Sequence, residues 1–381
     1  MDDRYFDERR QISSKFAYGF GPGTLSGLRY AGRIPVLLLM NIQANQVRTS
    51  PILTVEDLHV HFQLDQGVVR AVDGVSFQVN QGEIAGLIGE SGCGKSVTAQ
   101  AVMRIVPKPG KIVDGRILLY EGEDDADGTD VAKLPRNSPE LRSVRGGDIS
   151  MIFQEPMTTF SPVHTIGNQI MEAVRGHGEP DKARARKIAV DMLDRVGIPN
   201  AEDRIDSFSF QLSGGMRQRA MIAMALATRP RMLIADEPTT ALDVTMQAQI
   251  LALMKDLQAE FGMAILMITH DLGVIAESCQ RVSVMYWGKI VESTTVKELF
   301  AEPLHPYTQA LLESIPRMEK RAGKLKMIRG SVPEPFARVS GCPFHARCDH
   351  AMKGKCDVGE PPELREVEPN HWAACWLYES E

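Results

Sequence analysis

Eight consecutive residues, Gly89-Glu90-Ser91-Gly92-Cys93-Gly94-Lys95-Ser96, carry the pattern G-x-x-x-x-G-K-[ST]. The chemistry this pattern offers is capture of a phosphate chain. Its glycines let backbone N–H groups converge on phosphate oxygens, and a helix starting behind them adds partial positive charge. Lys95 is then placed for β- and γ-phosphates and Ser96 for Mg²⁺. Far downstream, the apolar run 231–235 ends in two carboxylates, Asp236 and Glu237. Asp236 is expected to hold Mg²⁺ through water, and Glu237 to polarise an attacking water. A plain acidic surface pair is the bland alternative. Gln154 and His270 each close another apolar segment, at the strand ends where α/β sheets bind ligands. His270 could meet a γ-phosphate from there.

These side chains need a strand before the loop and a helix after it. The run 84–88 is short and continuously apolar, as a buried parallel strand should be, and the residues from Ser96 to position 106 read as a helix. Ahead of them, alternation over 53–62, 67–72 and 75–79 predicts an antiparallel β-layer. Phe62 falls at the end of the first of these strands, where its ring either stacks on an adenine or is an ordinary core Phe. Further strands are expected at 115–120, 148–153 and 263–269. The acidic run 121–130 lacks the glutamate a calcium loop needs at its twelfth position, so it reads as a solvated loop. Residues 157–230 read as mostly helical. One helix there opens at Ser213, a natural N-cap, with Gly214 and Gly215 leaving its first N–H groups open to an anion. Arg217 and Arg219 near that positive end point the same way. A turn ending at Asp243 leads into a helix over 244–261.

The totals exclude several classes. A chain of 381 residues is long enough for two domains and a large core, and its net charge of −6 makes no electrostatic case for nucleic acid or an anionic membrane surface. No apolar run approaches the roughly 18 residues of a spanning helix; the run 34–40 stops after seven. Residues 1–50 read as a poorly ordered leader, with Met40 a second possible start. Cys342, Cys348, Cys356 and Cys375 crowd the tail with spacing C-x5-C-x7-C-x18-C. In a nucleotide-binding chain this spacing suits a metal centre better than disulfides, and it is not the paired C-x2-C of a zinc ribbon. Zinc, an iron–sulfur cluster and simple buried thiols all remain open at this point, with His345, His350 and His371 available to a mixed zinc site.

The order of motifs resembles that of an ATP-binding cassette (ABC) ATPase over roughly residues 52–300. Residues 89–96, Gln154, Leu212-Ser213-Gly214-Gly215-Met216, the run ending at Glu237, Ala241-Leu242-Asp243 and His270 match its Walker A, Q-loop, signature, Walker B, D-loop and H-loop. The resemblance implies an α/β P-loop cassette with a parallel-core sheet, an antiparallel β-layer and a helical subdomain at about 157–230. ATP and Mg²⁺ are the implied ligands, with Gln154 joining Ser96 and Asp236 around the metal. It also implies a head-to-tail dimer in which Ser213, Gly214, Gly215 and Asp243 act on a partner's nucleotide. From 301 to 381, Leu304-His305-Pro306-Tyr307-Thr308 and Gly341-Cys342-Pro343-Phe344-His345-Ala346-Arg347-Cys348 resemble the tail of the oligopeptide/dipeptide/nickel import ATPases. That subfamily implies a [4Fe–4S] cluster on the four cysteines, with Zn²⁺ the alternative. It further implies a second ATPase subunit, two transmembrane permease subunits, an extracytoplasmic solute-binding protein, and a place on the cytoplasmic face of a bacterial membrane. The competing readings are a soluble cassette acting on ribosomes or DNA, which would call for fused cassettes or heptad insertions, and an iron–sulfur sensor with a vestigial ATPase.

Overall fold

The computed structural model describes residues 50–122, 124–154, 159–240, 242–314 and 328–379. The expected leader, the run 34–40 and Met40 lie outside them. Two long strands come first, β1 (Pro51–Leu64) and β2 (Gly67–Asn80). They pair antiparallel along almost their whole length, with register shifts that bend the hairpin, so the two short segments expected at 67–72 and 75–79 are one strand. Next come β3 (Ile84–Ile88), α1 (Lys95–Val102), β4 (Gly110–Leu119), the two-residue β5 (Thr129–Asp130), α2 (Pro139–Val144) and β6 (Ile149–Ile152). Four of these strands form an antiparallel sheet in the order β2-β1-β4-β5. In the acidic run that follows β4, the Asp125 carboxylate accepts from the backbone N–H groups of Glu121 and Gly128, which closes a turn on itself.

The helical stretch contains α3 (Ile166–Gly176), α4 (Lys182–Arg195), α5 (Ala201–Arg204) and α6 (Gly214–Leu226). Thr165, Asp181 and Ser213 cap three of these helices by accepting a backbone N–H in the first turn. Beyond them run β7 (Met232–Asp236), α7 (Val244–Phe261), β8 (Ala264–Thr269), α8 (Leu272–Ser278), β9 (Arg281–Tyr286), β10 (Lys289–Thr295), α9 (Val296–Ala301), α10 (Pro306–Glu313), β11 (Arg365–Glu368) and β12 (His371–Ala373). The second sheet has the order β11-β12-β10-β9-β3-β8-β7-β6. Its β9-β3-β8-β7-β6 portion is parallel.

Alternation along these parallel strands supplies two cores. Ile84, Ile88, Leu233, Ala235, Ile265 and Met267 pack with the helical stretch on one face, whereas Ala85, Leu87, Ile234, Leu266 and Ile268 pack beneath the antiparallel sheet on the other. Covering both faces is what a parallel sheet requires, and it explains the unbroken apolar runs. All five residues of β3 are buried, and they aim the loop that follows at the carboxyl edge of the sheet.

The tail joins the same sheet. β12 pairs antiparallel with β10, Glu292 opposite Ala373. At that seam Glu292, wholly buried, receives His371 Nε2 at 2.7 Å and the backbone N–H groups of Leu304 and His305 at 2.8 Å each. One carboxylate thereby ties together β10, the start of α10 and β12.

Candidate nucleotide site

Between β3 and α1 the chain makes the tight loop that its glycines permit. At Gly94 φ is +108°, and a Cβ there would sit 2.2 Å from the Ala71 carbonyl oxygen; at Gly89 it would sit 2.1 Å from that of Met285. No side chain fits at either position. Lys95 is buried, its ammonium donating to the carbonyl oxygens of Gly89 (2.8 Å) and Glu90 (3.1 Å). The cation is therefore held over the loop by the loop's own backbone. Burial pushes the Cys93 thiol up, against the opposing pull of Lys95, so this thiol stays neutral.

Across the sheet, β7 delivers its two carboxylates to the same place. Ser96 Oγ donates to Asp236 Oδ1 at 3.0 Å. Burial raises the Asp236 carboxyl above its usual range, partly offset by the Ser96 hydrogen bond and reinforced by the charge of Glu237. A buried carboxylate beside a hydroxyl, with charge still to be balanced, is a hard oxygen donor set that fits Mg²⁺. Gln154 turns its amide nitrogen to Glu237 Oε2 at 3.1 Å, so its amide oxygen is the atom left to meet a cation.

Glu237 is held on three sides. Besides Gln154, Thr240 Oγ1 donates to its Oε2 at 2.8 Å and His270 Nδ1 lies 3.0 Å from Oε1. Burial pushes this carboxyl up, but the His270 and Thr240 hydrogen bonds outweigh it and the net direction is down. The group is thus ionised at neutral pH, as a base must be. Its backbone is left-handed, φ +49°, with the N–H bound to the Ile268 carbonyl at 2.8 Å. A non-glycine residue in that region is strained, a state that the surrounding contacts must enforce.

Other expected residues fall elsewhere. A groove of about 1220 Å³ beside Ser91 and Gly92 is lined by His61 and Gln63. Phe62, between them in sequence, turns the other way and rests against Gly110 and Val106. Strand alternation puts the histidine on the groove wall and leaves Phe62 against the core, the second of its two readings. Ser213 Oγ accepts from the Met216 N–H at 3.3 Å, and Gly215 packs so closely that a Cβ would meet the Met246 methyl at 2.2 Å. Ser213, Gly214 and Gly215 do not line the groove. Arg217 and Arg219, whose charge suggested an anionic partner, each commit a donor within the fold. Arg217 Nε donates to the Leu212 carbonyl at 3.0 Å and Arg219 to the Val196 carbonyl at 2.5 Å, because open carbonyls of their own fold lie within reach. Asp243 caps α7 through the Met246 N–H at 2.9 Å and is exposed, as is Val244 after it.

The four tail cysteines are free thiols lining one small cavity of about 20 Å³, together with His305, His345 and His350. Among the described residues no three of their sulfurs lie within 4.8 Å of one another. His371, expected as a spare ligand, is committed to Glu292. Burial pushes Cys342 up to about 12 and Cys375 up to about 11, each raised further by the neighbouring cysteines.

Comparison with known proteins bears directly on this geometry. Residues 72–240 match the family model described as ABC transporter, and residues 291–356 match the oligopeptide/dipeptide transporter, C-terminal region. A probable peptide ABC transporter ATP-binding protein of Sinorhizobium fredii, y4tR, is 49% identical over 338 residues, covering 88% of this chain and 98% of the relative. The chain belongs to the ABC transporter ATP-binding family. The dipeptide transport ATP-binding protein DppD of Bacillus subtilis is 47% identical over 86% of this chain and 94% of its own length. Among solved structures, cbiO1 from Clostridium perfringens, part of the transporter complex cbiONQ, superposes with a TM-score of 0.54 at 29% identity over 66% of this chain and 92% of its own. The cassette MJ0796 shares the fold at 24% identity, with a TM-score of 0.56 over 64% of this chain and 98% of its own. Membership of this family makes the chain an ATPase.

Proposed function

We propose that this ABC ATPase is the energy-coupling subunit of a bacterial importer for dipeptides or oligopeptides. What carries the reading is that relatives named for peptide and dipeptide transport match at 47–49% identity over nearly their whole length, tail included. Bound Mg²⁺ supplies charge neutralisation for the phosphates. Around it, Lys95 and the loop N–H groups bind the phosphate chain, and Ser96 and Asp236 orient the metal side. Glu237 takes a proton from the attacking water while His270 fixes its carboxylate. Ser213, Gly214, Gly215 and Asp243 serve the nucleotide of a second cassette. That assignment is supported by their absence from this chain's own groove and by the exposure of Val244, 84%, beside Asp243. No helix among the described residues is long and apolar enough to cross a membrane, so two permease subunits form the path, an extracytoplasmic binding protein selects cargo, and this subunit docks at the cytoplasmic face.

For the four cysteines the reading is an iron–sulfur cluster in preference to one zinc ion, on the spacing of their sulfurs. A tetrahedral zinc with Zn–S near 2.3 Å draws its sulfurs to about 3.8 Å apart. No three of these sulfurs lie within 4.8 Å of one another, wider than that, while the cavity they share, about 20 Å³, has room for about one water and must open to take a cluster. The Cys348 and Cys356 sulfurs also accept the backbone N–H groups of His350 and Met352 at 3.4 Å, contacts that stabilise thiolates.

Reconstitution of the subunit with its permeases in proteoliposomes tests the transport reading. The expected result is ATP hydrolysis stimulated by peptide-loaded binding protein. Stimulation by nickel alone, or association with ribosomes or DNA in place of membrane subunits, would overturn it.

A further inference from the structure

The second residue of the phosphate loop is gripped by the tail. Arg347, one position before Cys348, donates from Nη1 to Glu90 Oε2 at 2.6 Å and from Nη2 to Glu90 Oε1 at 3.0 Å. This bidentate pair is nearly dry on the arginine side, whose side chain is 4% exposed. Above it, Tyr307 of α10 accepts the Glu90 backbone N–H on its hydroxyl at 2.9 Å. The grip has its own scaffold. Tyr286, Tyr307 and Phe344 pack with ring centroids 4.7 to 5.4 Å apart, and the guanidinium lies 5.8 Å from the Tyr286 and Phe344 centroids. Its Nε is spent on the Arg329 carbonyl at 2.9 Å. Tyr286 ends β9 directly after Met285, whose carbonyl packs against Gly89.

We propose that Arg347 and Tyr307 are positioning residues of the ATP site, by which the C-terminal segment holds the phosphate loop and cancels the charge of Glu90. Glu90 places a carboxylate within a loop that must accept a polyanion, and an uncompensated negative charge there opposes ATP. Arg347 answers it at hydrogen-bond distance and in a fork that also fixes the side chain's direction. The effect falls on binding and not on the chemical step, because neither residue contacts Glu237, His270 or Asp236.

The proposal rests on reading residues 89–96 as the ATP site, and the experiment separates the two. Full-length wild type, Arg347→Gln, Arg347→Lys and the Arg347→Gln/Glu90→Gln double variant are compared for ATP Kd by calorimetry and for kcat and KM. Failure of the wild type to bind ATP would reject the site itself. With wild-type binding in place, Arg347→Gln should weaken ATP by about tenfold with kcat changed far less, Arg347→Lys should fall between, and the double variant should recover most of the affinity. A double variant as weak as the single one, or an Arg347→Gln variant that binds like wild type, would overturn the proposal. Should Arg347→Gln fail to fold, Arg347→Lys decides it on its own: ATP binding weaker than wild type with kcat little changed is expected, and wild-type affinity would overturn the proposal.

Discussion

Glu237 combines two properties that rarely coincide: a left-handed backbone that costs energy, and a carboxylate held below its ordinary range by neighbours that donate to it. Both make sense if the group must present a fixed, ionised oxygen to water. Glu237→Gln keeps the size and most of the contacts while removing the base. Its turnover should fall on the order of 10²–10⁴-fold with ATP still bound, and single-turnover hydrolysis beside nucleotide binding is the check; normal turnover would remove Glu237 from its role. At this scale the sequence anticipated placement where the motif alone decides it: Lys95 lies over the loop and Ser96 meets Asp236. It misled where one step of register or one rotamer decides. Phe62 and His61 are adjacent, and the pleat sends only one of them to the groove. Arg217 and Arg219 each spend a donor on the carbonyls of Leu212 and Val196, which their charge alone did not indicate.

Among the elements, the parallel strands were legible because burial on both faces leaves them apolar throughout, and the helix from Gly214 because Ser213 stands where a cap must. β9, β10 and the short tail strands were not read. β11 and β12 are four and three residues long, exist only through pairing with β10, and carry no period of their own. What fixes them is a long-range contact, the buried Glu292 carboxylate with His371 and two amide donors. Removing one partner of such a pair leaves uncompensated polar groups in the interior, at a cost of about 3–5 kcal/mol. Glu292→Ala should therefore lower unfolding free energy by about that amount, and Glu292→Gln, which keeps an acceptor oxygen, by roughly half or less. Denaturant unfolding of both variants measures this, and a loss below about 1 kcal/mol for Glu292→Ala would show that the strands dock by packing alone.

For the molecule as a whole, the tail is continuous with the cassette at two places: its strands extend the ATP-binding sheet, and Arg347 and Tyr307 reach the phosphate loop. The four cysteines lie between these anchors, on segments that share no helix or hairpin. A regular C-x2-C pair can hold a metal by local geometry, whereas the spacing here requires the surrounding fold to bring Cys375, at the end of the β12 segment, toward Cys342 and Cys348. Any cluster on these cysteines would therefore depend on the folded tail, and the proposed assignment predicts which cysteines matter. Protein purified without oxygen should be brown and carry about four irons per chain. Cys375→Ser, which removes the most distant ligand in sequence, should lose the iron and the visible absorbance while ATP binding persists through Lys95 and the loop. Colourless wild-type protein with one zinc per chain would instead assign the site to a single ion, and equal iron in Cys375→Ser would take that residue out of the ligand set.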